Sequence, residues 1–158
     1  MELLYRFDAG LTEIVPIGLV PEGVRLDVHF EGTLTEGALE GTRVRGVDYL
    51  LLRADGVGVI DAYEAITADD GRAISAHARG YIVPPPGLEM PPPDVLLDPD
   101  FRWPDAPLPM HGFVVYRTGA AGWQKLNSTA AAFEGSANVG AGALIVVAQA
   151  PLRSPLAV

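Results

Sequence analysis

Apolar and polar residues alternate with a period of two through most of the chain, which is the pattern of β-strands with one dry and one wetter face. The run VRLDVHF at residues 24–30 is a clear example. No long window keeps the 3.6-residue period of an amphipathic helix, and glycine and proline recur every few residues. The pattern predicts about nine strands, at residues 2–8, 24–34, 38–45, 47–53, 57–67, 73–83, 111–118, 126–136 and 142–150.

The segments between these runs have the residues of tight turns. Asp-Gly pairs at 55–56 and 70–71 are typical of hairpin turns, because glycine tolerates a positive φ. Gly46 and Gly140 separate apolar runs in the same way. We therefore predict an all-β chain, one domain over residues 1–158, forming a single closed antiparallel barrel of the calycin or lipocalin type, since closure removes exposed strand edges. A β-sandwich is the alternative architecture.

Two segments interrupt the strand pattern. Residues 9–23 form an apolar connection with two prolines, and residues 84–109 form a long proline-rich insertion with three consecutive prolines at two places. Prolines stiffen a segment without giving it strand hydrogen bonds, so we expect an ordered loop. It is interpreted either as a surface excursion or as a lid or subunit contact, because long ordered loops often carry function. The surface excursion would pack four apolar side chains over one barrel end: Leu96, Leu97, Phe101 and Trp103.

Charge and composition exclude several classes of partner. The chain has 11 Lys and Arg against 20 Asp and Glu, a net charge of -9, and a single lysine, Lys125. Nucleic acids and anionic membrane surfaces need clustered cations, so neither is expected to bind. The longest apolar stretch, residues 141–150, is far short of the roughly 20 residues of a membrane helix. Residues 1–6 lack the features of a signal peptide, which favours a cytoplasmic location.

Several short motifs carry a resemblance to a known family. They are GTL at 32–34, Gly41, GVDY at 46–49, RADG at 53–56, DA at 61–62, Thr67, DDG at 69–71 and WQKLN at 123–127. On these residues the chain resembles the DUF3237 (UPF0311) family. The resemblance implies a calycin-like antiparallel barrel, without an established activity or a catalytic set to transfer. Tyr63 stands where the family usually has arginine, and this departure and the proline-rich loop favour a specialised substrate.

Strand parity selects the candidate catalytic residues. Asp61 and Tyr63 share a face with the small Val59 and Ala65, and we predict that this face points into the barrel. Burial beside apolar walls would raise the pKa of Asp61 and make it a general acid or base. His77, on the next strand, is the third predicted catalytic residue. For Asp61, the alternatives are a carboxylate paired with an arginine such as Arg53 or Arg79 and a carboxylate that bonds the backbone at a strand end. For His77, the alternative is a solvated outer face.

Six further side chains are predicted to bind the substrate in or near the same interior. They are Asp48, Arg79, Tyr81, Trp103, His111 and Tyr116. For Asp48, a turn-stabilising carboxylate is the alternative interpretation. For the parity of residues 111–118, the pattern leaves both orientations open, because His111 and Tyr116 lie on opposite faces.

No cofactor or metal is predicted. His29, His77 and His111 lie on different predicted strands, and no His-x-His pair of the kind used by metal-binding barrels occurs. The sequence has no cysteine, no Gly-x-Ser-x-Gly element and no phosphate-binding glycine loop. The side chains left as candidates for catalysis or substrate binding are those of Asp, Tyr, His and Arg.

These observations favour a cofactor-free barrel enzyme of the cyclase, isomerase or lyase type. It would act by acid–base catalysis on a hydrophobic or aromatic small metabolite inside the barrel. Two alternatives stay open: a non-catalytic binding or carrier barrel, and a structural protein that forms oligomers. The expected partner is a hydrophobic small molecule, with a homo-oligomer as a further possibility.

Overall fold

Eight antiparallel strands form a closed barrel in the computed structural model, which describes residues 1–151. Each strand pairs with the next in the sequence, and the last pairs with the first. The strands are β1 (Glu2–Val20), β2 (Gly23–Glu36), β3 (Arg43–Leu52), β4 (Gly58–Thr67), β5 (Ala73–Ile82), β6 (Leu108–Arg117), β7 (Ala130–Asn138) and β8 (Ala143–Ala150). A short helix, α1 (Pro93–Leu96), lies between β5 and β6, and a 3₁₀ turn (Gln124–Ser128) precedes β7. The predicted closed antiparallel barrel is confirmed.

The strand count is eight because one predicted turn lies inside a strand. The predicted run at 38–45 lies mostly in the turn before β3, and its last three residues belong to β3 together with the run predicted at 47–53. Within β3, Gly46 pairs with Phe30 on one side and Glu64 on the other. A Cβ at Gly46 would lie 2.8 Å from the Phe30 ring. Glycine inside a strand often marks such a close approach, and here it lets the Phe30 ring lie against the backbone.

The predicted connection at residues 9–23 is wrong for most of its length. Strand β1 continues to Val20, and its ladder with β2 is irregular near Glu13 and between Pro16 and Gly18. Such irregularities bend a strand and increase its twist, so a 19-residue strand can follow the curved wall of a barrel. The irregular register also explains why the period-two pattern is hard to see in this segment.

Both predicted Asp-Gly turns are confirmed. Gly56 and Gly71 have φ values of 84° and 90° in the turns after β3 and β4. The carboxylate of Asp55 accepts a hydrogen bond from the Val57 N–H, and the loop at 68–72 has the equivalent bond from Asp70. These side chains replace backbone acceptors in the turn, which stabilises the hairpins of the β3–β5 meander.

An aromatic layer fills one half of the barrel interior. The rings of Tyr5 and Phe7 are stacked 5.9 Å apart, and Phe7 lies 6.2 Å from Phe30. Tyr116 meets Tyr5 edge-on at 6.5 Å, and each of these four residues is at most 3% exposed. Because the aromatic layer spans the barrel, it separates the interior into a filled end and a more open end.

The proline-rich loop covers the more open end. Met90 lies beside Gly56 in the β3–β4 turn, and the backbone at Trp103 and Pro104 lies against Gly140 in the β7–β8 turn. The loop side chains that pack against the core are Met90, Leu96, Leu97 and Trp103. The expected packing over a barrel end is thus confirmed for Leu96, Leu97 and Trp103, whereas Phe101 contacts Trp103 with a ring separation of 5.4 Å.

Candidate active site

A cavity of about 70 Å³ lies inside the barrel between the aromatic layer and the loop-covered end. Among its lining residues, Tyr5, Asp48 and Glu64 are the ones with polar side chains, and the others are apolar. The apolar wall includes Val28, Phe30, Leu50, Ile60, Met110, Val114, Phe133, Val139, Leu144 and Val146. A cavity needs only about 10–15 Å³ to hold one water molecule, so this one has room for a small guest.

Small residues beside the two carboxylic acids help to create the cavity. Two neighbouring rows of cross-strand partners run along the inner wall from β2 to β6, with one residue from each strand. The first row is Phe30, Gly46, Glu64, Ala76 and Tyr116, and the second is Val28, Asp48, Ala62, Ala78 and Val114. Each acid therefore has glycine or alanine next to it on at least one side. Asp48 and Glu64 are diagonal neighbours in the sheet, which places their backbones roughly 7–8 Å apart.

The side chain of Asp48 is held in the barrel wall by a hydrogen bond from the backbone of the neighbouring strand. Its Oδ1 accepts a hydrogen bond of 2.9 Å from the backbone N–H of Asp61. The ladder between β3 and β4 passes from the pair Asp48–Ala62 to the pair Leu51–Val59, with the two intervening residues of β3 left out of the ladder. The carboxylate thus takes the place of a backbone acceptor, which holds the side chain at a defined position.

The environment of Asp48 raises its pKa to about 7. Burial is the largest cause, because an apolar surrounding disfavours the charged form. The hydrogen bond from Asp61 lowers the pKa in part, whereas the nearby Asp61 carboxylate raises it. Asp48 keeps some accessible surface because it borders the cavity, yet the protein around it is sufficient for burial to dominate.

Glu64 is the most isolated polar group in the interior. It is 8% exposed, and its Oε2 has no hydrogen-bond partner among residues 1–151. Burial raises its pKa to about 8, with a further contribution from the charge of Asp48. A buried carboxyl without partners is stabilised by keeping its proton, so Glu64 is mainly a neutral acid at pH 7.

Tyr5 and Tyr116 join their hydroxyl groups across the barrel at 3.1 Å. Burial is the main cause that raises the pKa of each phenol above its ordinary value, and the charge of Glu64 adds to both. Both hydroxyls therefore keep their protons at neutral pH. The pair adds O–H groups to the end of the cavity where Tyr5 forms part of the wall.

The interior therefore combines an acid and a base that titrate near neutral pH. Asp48, with its pKa near 7, is partly ionised at pH 7 and can accept a proton. Glu64, with its pKa near 8, is mostly protonated and can donate one. General acids and bases work best when their pKa lies close to the working pH, and a pair separated in pKa divides the two roles.

The predicted inward orientation of Asp61 and Tyr63 is wrong. The inward residues of β4 are Gly58, Ile60, Ala62, Glu64 and Ile66, all of which are buried. Tyr63 is 52% exposed, and the Asp61 side chain is 43% exposed. The prediction rested on the small Val59 and Ala65 as room for a guest, whereas the two isoleucines in the row of Glu64 determine the orientation by burying far more apolar surface.

Asp61, Tyr63 and His77 are nevertheless close together on the outer face of the barrel. His77 Nε2 lies 2.7 Å from Asp61 Oδ1, and the ring of Tyr63 stacks on His77 at 4.1 Å. Asp61 is thus paired with a histidine rather than with an arginine. The catalytic role of this outer cluster stays a prediction, and its geometry gives it no access to the interior cavity.

The predicted substrate-binding residues divide between the two sides of the wall. Asp48 and Tyr116 are in the interior. Arg79, Tyr81 and His111 are exposed on the outer face, which is one of the two orientations left open for their strands. They lie on the same face of β5 and β6 as His77. Trp103 lies half-buried in the loop above the open end. The binding roles of all six residues stay predictions.

Tyr5 and Glu64 line the cavity but are not among the catalytic or binding residues predicted from the sequence. The signal for Glu64 was present in β4, where one carboxylic acid interrupts an otherwise apolar row of alternate residues. Such a row faces the core, and a single acid in it is a candidate functional group. Tyr5 carried no comparable signal, since it lies in an apolar N-terminal strand like many core tyrosines.

Residues 1–151 contain no cluster of three or more His, Cys, Asp or Glu side chains with the geometry of a metal site. The three histidines lie on β2, β5 and β6. In the same described part of the chain, no helix has the length and apolar character to span a membrane.

The strand topology defines an all-β protein built as a closed antiparallel barrel of eight strands, and two carboxylic acids line its interior cavity. The chain belongs to the family described as "Protein of unknown function (DUF3237)", which matches residues 1–92. The resemblance stated from the short motifs is therefore confirmed. No curated protein matches the sequence.

Solved structures share the fold at low sequence identity. A β-barrel-like protein from Acinetobacter baumannii AYE is 21% identical, with a TM-score of 0.69 over 94% of this chain and 93% of that one. A conserved protein of unknown function from Rhodopseudomonas palustris is 17% identical, with a TM-score of 0.70 over 95% and 96%. A protein of unknown function from Clostridium acetobutylicum is 17% identical, with a TM-score of 0.75 over 96% and 98%. At this identity the similarity concerns the fold alone.

Proposed function

We propose that the protein is a cofactor-free enzyme that acts by acid–base catalysis on a small, largely apolar molecule inside the barrel. Asp48 is the general base and Glu64 is the general acid. The observation that carries this proposal is that both carboxylic acids line one apolar cavity of about 70 Å³. The reaction type is an isomerisation, cyclisation or elimination, because these need only proton transfers.

The environment of the two acids supports their division of roles. Burial raises both pKa values, to about 7 for Asp48 and about 8 for Glu64, so that Asp48 loses its proton first. The base must be ionised and the acid protonated, so the rate rises as the pH passes 7 and falls as it passes 8. Asp48 is also positioned by the Asp61 N–H, which occupies Oδ1 and leaves Oδ2 for a substrate proton.

The loop at residues 84–109 supports a closed reaction space. Its side chains pack over the open end of the barrel, and Val139 borders both the cavity and the cleft beneath the loop. Excluding water strengthens the interactions of charged groups with a bound substrate. In this proposal the loop is the lid through which the substrate enters.

The test uses 1,2-benzisoxazole, a small apolar compound whose ring opens when a base removes one C–H proton. The wild-type protein is expected to accelerate the ring opening, and Asp48→Asn is expected to slow it about 10²-fold, the usual contribution of a general base. Asp8→Asn is the matched control, because that aspartate is exposed on β1 and does not border the cavity, and it should leave the rate unchanged. Equal rates in the wild-type and Asp48→Asn proteins would refute the proposal.

Binding without turnover is the second candidate function, and the almost wholly apolar wall of the cavity favours it. A carrier of this kind would bind 1,2-benzisoxazole without opening its ring. Chemical-shift changes of amides that line the cavity would report the binding independently of any reaction. Shift changes without product would therefore select the carrier function over the enzyme.

A further inference from the structure

The two tyrosines at the cavity have one more O–H proton than their hydrogen bond within the protein uses. Tyr5 and Tyr116 together have two O–H protons, and their mutual hydrogen bond uses one. The second O–H proton of the two tyrosines has no hydrogen-bond acceptor among residues 1–151. Either hydroxyl can donate the mutual bond, and when Tyr116 donates it, the O–H proton of Tyr5 stays free. Since Tyr5 forms part of the cavity wall, that proton is then available to a guest.

Glu64 supplies a second donor in the same wall. Its Oε2 is buried and without a partner within the described chain, and the residue is 8% exposed. Gly46 and Ala76 flank it in the neighbouring strands, so small residues leave space around the carboxyl group. A protonated carboxylic acid in an apolar site donates a strong hydrogen bond to an oxygen that gains negative charge.

Asp48 supplies the complementary acceptor. It lies diagonal to Glu64 on the adjacent strand, and its Oδ1 is held by the Asp61 N–H. The wall thus has two O–H donors, Tyr5 and Glu64, and one carboxylate base. A molecule that matches this set has a hydrogen-bond-accepting oxygen next to a carbon that can lose a proton, on an apolar body.

The geometry points to a small ketone or aldehyde with a hydrogen on its α-carbon as the substrate class, with Tyr5 and Glu64 binding the carbonyl oxygen and Asp48 removing the α-proton. This inference rests on the proposed acid–base function and names the group on which it acts. Tyr116 is a positioning residue, because it acts on the substrate only through the hydroxyl of Tyr5.

The chemical step balances without a further reactant. Asp48 takes the α-proton, and the electrons of the C–H bond form a carbon–carbon double bond. The π electrons of the carbonyl group move to its oxygen, which becomes an enolate held by the O–H groups of Tyr5 and Glu64. Return of a proton from Asp48 to the same carbon regenerates the ketone, and return to a different carbon of a conjugated enolate gives an isomer. In D₂O, the protonated Asp48 carboxyl exchanges its proton with solvent before the return, so that the α-carbon takes up deuterium.

The test measures the exchange of α-hydrogen in cyclopentanone for deuterium in D₂O, followed by proton NMR. Wild-type protein is expected to accelerate this exchange over buffer. Glu64→Gln and Tyr5→Phe should each slow it about 10²-fold, as expected for loss of one donor to an oxyanion. Tyr116→Phe should slow exchange less than Tyr5→Phe, and its loss should be in the maximal rate rather than in the cyclopentanone concentration for half-maximal rate.

Tyr63→Phe is the matched control, since it removes a tyrosine hydroxyl from the outer face, and it should exchange at the wild-type rate. Thermal unfolding of each variant establishes that it is folded. If Tyr5→Phe does not fold, the isosteric Glu64→Gln variant still decides, because an unchanged exchange rate in it would overturn the assignment of the donors.

The two proposals fail in different ways. If benzisoxazole is opened in an Asp48-dependent reaction but cyclopentanone exchanges at the buffer rate, the carbonyl inference is wrong and the acid–base function stands. If the protein accelerates neither reaction, both are wrong. Exchange that depends on Asp48, Glu64 and Tyr5 but not on Tyr63 supports both.

Discussion

Asp48 and Asp61 have the same side chain, lie on adjacent strands and are joined by one hydrogen bond, yet their environments are opposite. Asp48 faces an apolar cavity, and burial raises its pKa to about 7. Asp61 faces outward with 43% of its side chain exposed and contacts His77. The wall of the barrel thus separates a buried acid from an acid in an exposed pair with histidine, and strand parity decides which aspartate takes which position.

The strongest way to test this difference is to place the same acid on each side of the wall at neighbouring positions. Ala131 of β7 is fully buried, whereas Ala132 is exposed on the outer face. Ala131→Asp is expected to cost at least about 3 kcal/mol in the free energy of unfolding, because it buries an unpaired polar acid. Ala132→Asp should change it by less than about 0.5 kcal/mol. Equal losses in urea denaturation would contradict the orientation of β7.

Glu64 gives a smaller and pH-dependent effect. Its pKa is raised from 4.5 to about 8, so the folded protein holds a proton that the unfolded chain has lost. Stability is therefore fully present below about pH 4.5 and falls as the pH rises towards 8. One pKa unit corresponds to about 1.4 kcal/mol, so the loss from pH 5 to pH 8 is on the order of 3 kcal/mol.

Glu64→Gln is expected to remove this contribution, so that its stability falls less between pH 5 and pH 8. Asp48 continues to titrate in the variant, because its pKa is raised from 3.8 to about 7 by the same burial, and it accounts for the remaining slope. Glu31→Gln is the matched control, since Glu31 is exposed on β2. Urea denaturation at several pH values should give the wild-type slope for the control, and the same slope for Glu64→Gln would count against a protonated Glu64.

The outer ion pair gives the smallest expected effect. A double-mutant cycle of Asp61→Ala and His77→Ala should yield a coupling energy of about 0.2–1 kcal/mol, the usual value for exposed pairs. His77→Ala also lowers the free energy of unfolding because the stacking of His77 on Tyr63 is lost, and the double-mutant cycle subtracts this contribution. A coupling energy well above this range in thermal or urea denaturation would mean that the pair is less solvated than its exposure indicates.

The closed barrel was predictable because it depends on repeated local signals. Period-two runs and the Asp-Gly turns recur along the chain, and both Asp-Gly glycines have the positive φ that was expected of them. Two errors came from residues that act through tertiary contacts. Gly46 resembles a turn residue in sequence but lies inside β3 against the Phe30 ring, and residues 9–20 form a strand whose irregular register hides its period.

The candidate site was harder to predict than the fold. Asp48 and Tyr116 were selected and lie in the interior, although the orientation chosen for β4 put Glu64 outside and Asp61 inside. The two isoleucines in the row of Glu64 were the sequence signal for the observed orientation, and the prediction gave more weight to the small residues in the row of Asp61. The hydrogen bond between the Tyr5 and Tyr116 hydroxyls joins residues that are 111 positions apart, and only the closure of the barrel brings them together.

The interruption of the β3–β4 ladder gives the protein a built-in spectroscopic reporter. The amide proton of Asp61 is bonded to the carboxylate that is proposed to act as base, rather than to a backbone carbonyl. Its NMR resonance therefore senses each change of charge on Asp48 while Asp61 itself belongs to the outer face. The ionisation of the interior can thus be read from this one amide signal, with no probe inserted into the cavity and no substrate in hand.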